Sequence, residues 1–110
     1  MSFYLFKANY STDAVKAMVN QPQDREATAR GVVEALGGTL HHFFFALGDW
    51  DIISIIEVPD DKTMVAGSLI ISASGNFSKA STTKLMTASE AKEAMGMAKD
   101  VASAFTPPTG

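Results

Sequence analysis

The 110 residues carry nine Lys and Arg against twelve Asp and Glu, a formal net charge of −3, and no cysteine. An acidic balance without a basic cluster argues against nucleic acid as a partner, and the missing thiols exclude disulfides, thiolate metal sites and cysteine nucleophiles. Hydrophobic residues at 46% and charged residues at 19% describe one folded domain with room for a core, not a disordered chain.

No stretch approaches the roughly 18 uninterrupted apolar residues of a membrane span. The start, Met1-Ser-Phe-Tyr-Leu-Phe-Lys7, has neither a basic leader nor a small-residue cleavage site. A cytoplasmic protein without membrane contact is the expectation.

Phe3 to Tyr10 is rich in aromatic residues and alternates, which predicts a first strand. Ser11-Thr12-Asp13 offers N-caps for a short helix in which Val15, Met18 and Val19 share a face. Pro22 interrupts it, and a second helical run starts near Asp24, Arg25 and Glu26. Along that run Ala29, Val32, Val33 and Leu36 recur at helical spacing until Gly37-Gly38 stops it. The two pieces read as one kinked crossover.

Thr39 to Val58 is the centre of the chain. It reads as a hairpin of strands His41–Leu47 and Asp51–Val58, with Gly48-Asp49-Trp50 at the turn. Side chains alternate along a strand, so Phe43, Phe45 and Leu47 point one way and Phe44 and Ala46 the other. Ile53 and Ile55 likewise oppose Ile52, Ile56 and Val58. Both faces are apolar, so both need a cover.

Pro59 closes the hairpin and Asp60 can cap a third helix from Asp61 to about Ser74. Its apolar residues Met64, Val65, Leu69, Ile70 and Ile71 wrap most of its circumference, with Gly67 and Ser68 as small contacts, so several neighbours should pack on it. Gly75 ends this helix. Asn76 to about Met86 is a more polar strand, suited to a sheet edge. Thr87-Ala-Ser-Glu90 fits a capping box, and the helix behind it carries the stripe Ala91, Ala94, Met95, Ala98, Val101, Ala102 and Phe105. Residues 106–110, Thr106-Pro-Pro-Thr-Gly110, form a flexible tail.

The order β-α-β-β-α-β plus a C-terminal helix is the split βαβ plan of an α+β, ferredoxin-like fold, one domain over residues 1–105. In that plan a four-stranded antiparallel sheet carries its helices on one face. A single C-terminal helix covers part of the other face at most. A second copy of the sheet is the economical cover, since symmetric dimers dominate soluble oligomers. A homodimer is therefore predicted, with a higher oligomer left open.

The stretch Gly48-Asp49-Trp50-Asp51, after an aromatic strand and Leu47, resembles the signature of the GYD family of small bacterial-type proteins. Around it stand Arg25-Glu26, Leu36-Gly37-Gly38, Ile53–Val58 with Pro59-Asp60-Asp61, and Gly75-Asn76. Members usually carry Tyr where Trp50 stands, so the signature aromatic is changed in kind but not in class. The resemblance covers roughly residues 3–87 and leaves the C-terminal helix, about 88–105, mostly outside. It implies a dimeric α+β barrel, two ferredoxin-like sheets packed face to face. That superfamily also holds cofactor-free monooxygenases, lactone isomerases, haem-degrading enzymes and ligand-sensing domains. Kinship of fold transfers none of these chemistries by itself, and the GYD family brings no characterised function of its own.

His41 and His42 are the two histidines. As strand neighbours they are expected on opposite faces, unable to share one metal site. Whichever enters a cavity could act as general base; the structural alternative leaves one solvated and the other hydrogen-bonded. Trp50 and Asp51 are either the wall and polar anchor of a ligand pocket, or a turn in which Asp51 accepts backbone N–H bonds while Trp50 packs over the barrel end.

Tyr4, Tyr10, Ser54 and Lys79 are polar positions on otherwise apolar strands. Ser54 is the informative one, interrupting Ile52-Ile53-Ser54-Ile55-Ile56 where a hydroxyl must find a partner or line a cavity. Asp24, Arg25, Glu26 and Arg30 are expected on a solvated helix face. Of the six methionines, Met64, Met86 and Met95 are expected to fill core gaps. There is no glycine-rich phosphate loop, nucleophile elbow or HExxH motif, and neither metal nor cofactor is expected.

Three functions stay open. The first is a homodimer whose cavity binds a small apolar or aromatic molecule, with Tyr4, Trp50 and Ser54 as contacts. The second is a cofactor-independent monooxygenase or isomerase with His41, His42 or Asp51 as catalytic base. The third is a purely structural assembly module with a dry core.

Overall fold

Four strands and four α-helices follow one another in the computed structural model, which describes Met1–Gly110. They are β1 (Ser2–Tyr10), α1 (Thr12–Asn20), α2 (Arg25–Ala35), β2 (Thr39–Phe45), β3 (Ile52–Val58), α3 (Asp61–Ala73), β4 (Phe77–Leu85) and α4 (Ala88–Val101), the last followed by a 3₁₀ turn over Ala102–Ala104. The strands form one antiparallel sheet in the order β2-β3-β1-β4. This is the α+β, ferredoxin-like plan, with the polar β4 at an edge.

Each α-helix starts on a side chain that satisfies a free backbone N–H, a cap worth about 1 kcal/mol. Ser11 accepts from Ala14 at 3.2 Å, Asp24 from Ala27 at 3.2 Å and Asp60 from Thr63 at 2.9 Å. Thr87 and Glu90 cap reciprocally, at 3.1 and 3.2 Å. Gly37, at φ +82°, closes α2. Gly38 serves a different end: a Cβ there would lie 2.1 Å from the Glu57 carbonyl oxygen, so only glycine lets the chain enter β2 against β3.

The second strand runs from Thr39 to Phe45, two residues earlier than the expected His41–Leu47, and Ala46–Asp51 forms the connection to β3. Gly37-Gly38 has already released the chain into extended backbone, so pairing begins at once. Thr39 faces Glu57 and Leu40 faces Ile56, but His42 faces Ile55. His41 is thus the extra residue of a β-bulge. A second irregularity lies at the far end of β1, where Asn9 faces Lys79 and Tyr10 faces Phe77.

Facing partners share a face of the sheet. Tyr4, Phe6, Ala8, Ile52, Ile56 and Val58 lie on the face under the helices and are buried, together with Leu40 from β2. Val33 of α2 and Met64 of α3 close this core from above. The other face carries Phe3, Leu5, Ile53 and Ile55, half-buried, and Phe44, which is 61% exposed. No element of the chain packs across it.

Helix α4 points away from this body. Its stripe residues Met95, Val101 and Phe105 are exposed, so Met95 does not fill a core gap; nor does Met86, while Met64 does. The Cα radius of gyration is 18.2 Å, against about 13 Å for a compact chain of this size. α3 packs on the sheet and against the end of α2, but Val65, Leu69 and Ile70 on its outer side are exposed. No helix is long and apolar enough to cross a membrane.

Candidate functional site

Between the covered face of the sheet and helices α2 and α3 lies a cavity of about 90 Å³. Its floor is built by Phe6, Tyr10, Leu40, Phe43, Ile52 and Ser54. Thr28, Ala29, Val32 and Val33 of α2 form one wall, and Met64, Gly67, Ser68 and Ile71 of α3 the other. Small residues at 29, 67 and 68 leave the space unfilled. At Gly67 the two helices come so near that an added Cβ would sit 3.1 Å from Leu36 Cδ1. Packed interiors rarely leave voids larger than a water molecule, so a space of this size between well-formed elements calls for an occupant or tolerates one.

Ser54 is 3% exposed and its hydroxyl donates to the Phe6 carbonyl oxygen at 3.3 Å. Its oxygen lone pairs remain available to accept from a guest. Phe77, the one aromatic residue of β4, completes the lining by stacking on Tyr10 with ring centroids 4.8 Å apart. The bulge beside Tyr10 is what sets Phe77 against it, and Ser78 braces that bulge by donating to the Tyr10 carbonyl oxygen at 3.4 Å.

Arg25 corrects an expectation. It does not join Glu26 and Arg30 on a solvated face but lines the cavity. Its Nη1 donates to Gln23 Oε1 at 3.0 Å, while Nε is buried with no acceptor. The reason lies in the helix period: positions 25, 28, 29, 32, 33 and 36 share one face of α2. Arg30, by contrast, pairs with Glu26 at 3.5 Å and donates to the Leu40 carbonyl oxygen at 3.2 Å, tying α2 to β2.

Asp51 lies outside this cavity. Its Oδ2 accepts the Tyr10 N–H at 3.0 Å, and its own N–H donates to Asn9 Oδ1 at 2.7 Å. Asn9 Nδ2 in turn donates to the Asp49 carbonyl oxygen at 3.0 Å. The Gly48-Asp49-Trp50-Asp51 stretch is thereby fastened to the end of β1. Asp51, Tyr10, Phe45, Met18 and Gln23 border an open groove of about 390 Å³ beside α1. Trp50 is on the opposite side, under the ammonium groups of Lys7 and Lys79, whose Nζ atoms lie 5.2 and 5.0 Å from its ring centroid.

The histidines also correct an expectation. The bulge at His41 cancels the alternation, and both imidazoles lie on the open face. His41 Nε2 is 2.9 Å from Glu57 Oε1, and its ring is 5.5 Å from that of Phe3. His42 stacks on Phe44 with centroids 6.0 Å apart. Neither touches the helix–sheet cavity.

Tyr4 is buried under the helices yet does not line the cavity. Its hydroxyl donates to Asp61 Oδ1 at 2.5 Å, and Lys84 Nζ approaches the same oxygen at 2.9 Å. Burial, then the Asp61 hydrogen bond, push the Tyr4 phenol above its usual pKa. The Tyr4 and Lys84 hydrogen bonds hold the Asp61 carboxyl below its usual value, and Asp61 raises Lys84. This cluster joins α3 to β1 and β4.

Of the candidate residues, the cavity brings in Ser54 and Tyr10, with Asp51 at the neighbouring groove and His41, His42 and Trp50 across the sheet. Arg25 and Phe77 join the lining from outside the candidate residues. The helical spacing of Arg25 with Ala29 and Val32, and the lone aromatic ring of Phe77 on a polar strand, were the signals for them.

No curated protein matches the sequence. Among solved structures, the chain is similar in fold to one described as the crystal structure of FFRP-DM1, at 14% identity and a TM-score of 0.54, over 78% of this chain and 100% of that one. The GYD domain family matches residues 4–95, from β1 into α4, and so takes in the fastened turn, the cavity and the first half of the projecting helix. The chain belongs to the GYD domain family.

Proposed function

We propose that the protein is a homodimeric binder of a small apolar or aromatic molecule, held between the sheet and helices α2 and α3. The observation that carries this reading is the cavity itself. It is walled by aliphatic and aromatic side chains and has a few polar groups at fixed places, Ser54 among them, which is the composition of small-molecule pockets. The dimer is supported by the open face, where Phe3, Leu5, Ile53, Ile55 and Phe44 form a contiguous apolar surface. The exposed stripe of α4 is a second surface suited to a partner copy.

A thermal-shift screen with a diverse small-molecule panel tests the binding half. Hits should raise the melting temperature of the natural protein and lose that effect in Ala29→Phe, whose ring occupies the cavity. A panel without hits would remove ligand binding and leave a structural assembly module. Sedimentation at micromolar concentration tests the other half, and a monomer would remove the dimer.

A second reading, a cofactor-independent monooxygenase or isomerase, draws on the open face. His41 with Glu57 at 2.9 Å is an imidazole oriented by a carboxylate, the arrangement of a general base. Sheet-to-sheet pairing would enclose it with His42. Loss of turnover in His41→Ala with the dimer intact is the expected result; unchanged turnover would end this reading.

A further inference from the structure

A half-buried arginine that borders an apolar cavity commonly meets a carboxylate of the same protein, because a partly desolvated cation without a partner is costly. Arg25 has none. No Asp or Glu lines the cavity, and the side chain takes part in no salt bridge. Its single hydrogen bond is the one from Nη1 to Gln23 at 3.0 Å. Nε is fully buried without an acceptor, and Nη2 donates to no protein group.

The guanidinium is planar, and its Nε–H and Nη2–H bonds run side by side. That edge is the fork that a carboxylate engages with two parallel hydrogen bonds. Gln23 engages the other part of the group through an exposed hydrogen bond. Arg25 thus stands at the border of the cavity with its carboxylate-binding edge unpaired, Nη2 open to a ligand and Nε reached by a small turn of the side chain, beside walls that suit hydrocarbon.

We infer that the ligand of this cavity is a small carboxylic acid with an apolar body, its carboxylate on the Nε/Nη2 edge of Arg25 and its body among Phe6, Phe43, Val33, Ile52 and Ile56. The inference rests on the proposed binding function and names the class of ligand. Ser54, Thr28, Ser68 and Tyr10 carry the hydroxyls of the lining and can take a second polar contact. The size of the space sets the scale of the body. A cavity of about 150 Å³ takes benzene, so about 90 Å³ favours a short aliphatic chain over a fused ring system. Tyr10 borders both this cavity and the groove beside α1, and Gln23 borders that groove while holding Arg25. The groove is the side from which a carboxylate reaches the guanidinium.

The test is an NMR titration of the full chain with monocarboxylates from propionate to octanoate, with isovalerate and benzoate, each beside its primary amide. The Arg25 Nε–H resonance reports the head group, and the methyl groups of Val33, Ile52, Ile56 and Met64 report the body. Acids of the right size should move both sets and bind about tenfold more tightly than their amides, the difference a charge-assisted pair makes. Arg25→Gln should erase that preference while the amide affinity stays, and Arg25→Lys should restore only part of it, since an ammonium lacks the fork.

Acids and amides of equal affinity would overturn the carboxylate assignment and leave the cavity reading standing. Probes that move no cavity methyl at all would end both. Inorganic phosphate that shifts the Nε–H signal as strongly as the acids would reduce the site to an anion contact and overturn the inference. If Arg25→Gln does not fold, the acid–amide comparison on the natural protein decides alone.

Discussion

The two faces of the sheet are made by the same strands from similar residues, and they differ in what they do with polar groups. Under the helices, Ala8 and Val58 are 0% exposed, and polar groups are few and individually placed: Ser54 on a backbone carbonyl, Tyr4 on Asp61, Arg25 at the cavity edge. On the open face the charges are numerous but laid over rings. Lys7 and Lys79 flank Trp50, and Glu57 meets the His41 that lies against Phe3. Ammonium groups over the face of an indole, and a carboxylate beside an imidazole, leave this side of the sheet half-exposed where the other is closed. Alternation along a strand creates two faces; it does not say that both become core.

The largest effect that would separate the faces comes from two adjacent isoleucines. Ile56 is buried beneath the helices, and Ile55 is half-buried on the open side. Ile56→Ala should cost about 2–5 kcal/mol by transfer and cavity terms, seen as the same drop in urea midpoint at every protein concentration. Ile55→Ala should cost about 1 kcal/mol or less in dilute protein and act on self-association instead. Equal losses, independent of concentration, would mean the two faces are the same kind of core.

Acid provides the next effect, confined to the covered side and the caps. The carboxyls of Asp60, Asp61 and Glu90 are all held below their usual values, Asp60 by Thr63, Asp61 by Tyr4 and Lys84, and Glu90 by Thr87. A depressed folded-state pKa stabilises the fold above the unfolded value near about 4, and that contribution is lost as pH falls through the folded value. Tyr4 and Lys84 are raised, so their contribution is complete below about pH 10 and declines as pH rises further. The urea midpoint should therefore fall at both extremes. In Asp61→Asn the neutral value should drop and the acid slope flatten; an unchanged slope would show that Asp61 does not carry it.

Much of this arrangement is written locally. Ser11, Asp24, Asp60 and Thr87 announce the helix starts, Pro22 divides the crossover, and Gly37-Gly38 and Gly75 mark ends. The bulge is not local. Nothing at Leu40-His41-His42 requires an extra residue; it arises from how β2 registers against β3, and it moves a histidine from one face to the other. Arg25 was hidden by its charge, although its spacing with Ala29 and Val32 was that of the buried stripe. The apolar runs of α3 and α4 were legible as surfaces in need of cover, but periodicity records the need and not the partner. Hence the cavity could be anticipated from Ser54, while its cationic edge could not.

The smallest change in the isolated chain is also the sharpest on the comparison. His41 and Glu57 form a partly exposed pair, with side chains 37% and 22% exposed. Such pairs contribute about 0–1 kcal/mol, so His41→Ala should leave the unfolding midpoint of dilute protein almost unmoved. In a sheet-to-sheet dimer the same substitution acts twice, because an isologous interface presents each residue from both copies. It would then leave two Glu57 carboxylates beneath a partner sheet without their imidazoles, and truncating one member of a desolvated pair costs far more than its exposed equivalent. The dimer should weaken by about tenfold or more, read from sedimentation across a dilution series, while the monomer unfolds as before. An equally small effect at every concentration would make His41 an ordinary surface histidine, and would assign the apolar open face to some use other than pairing with itself.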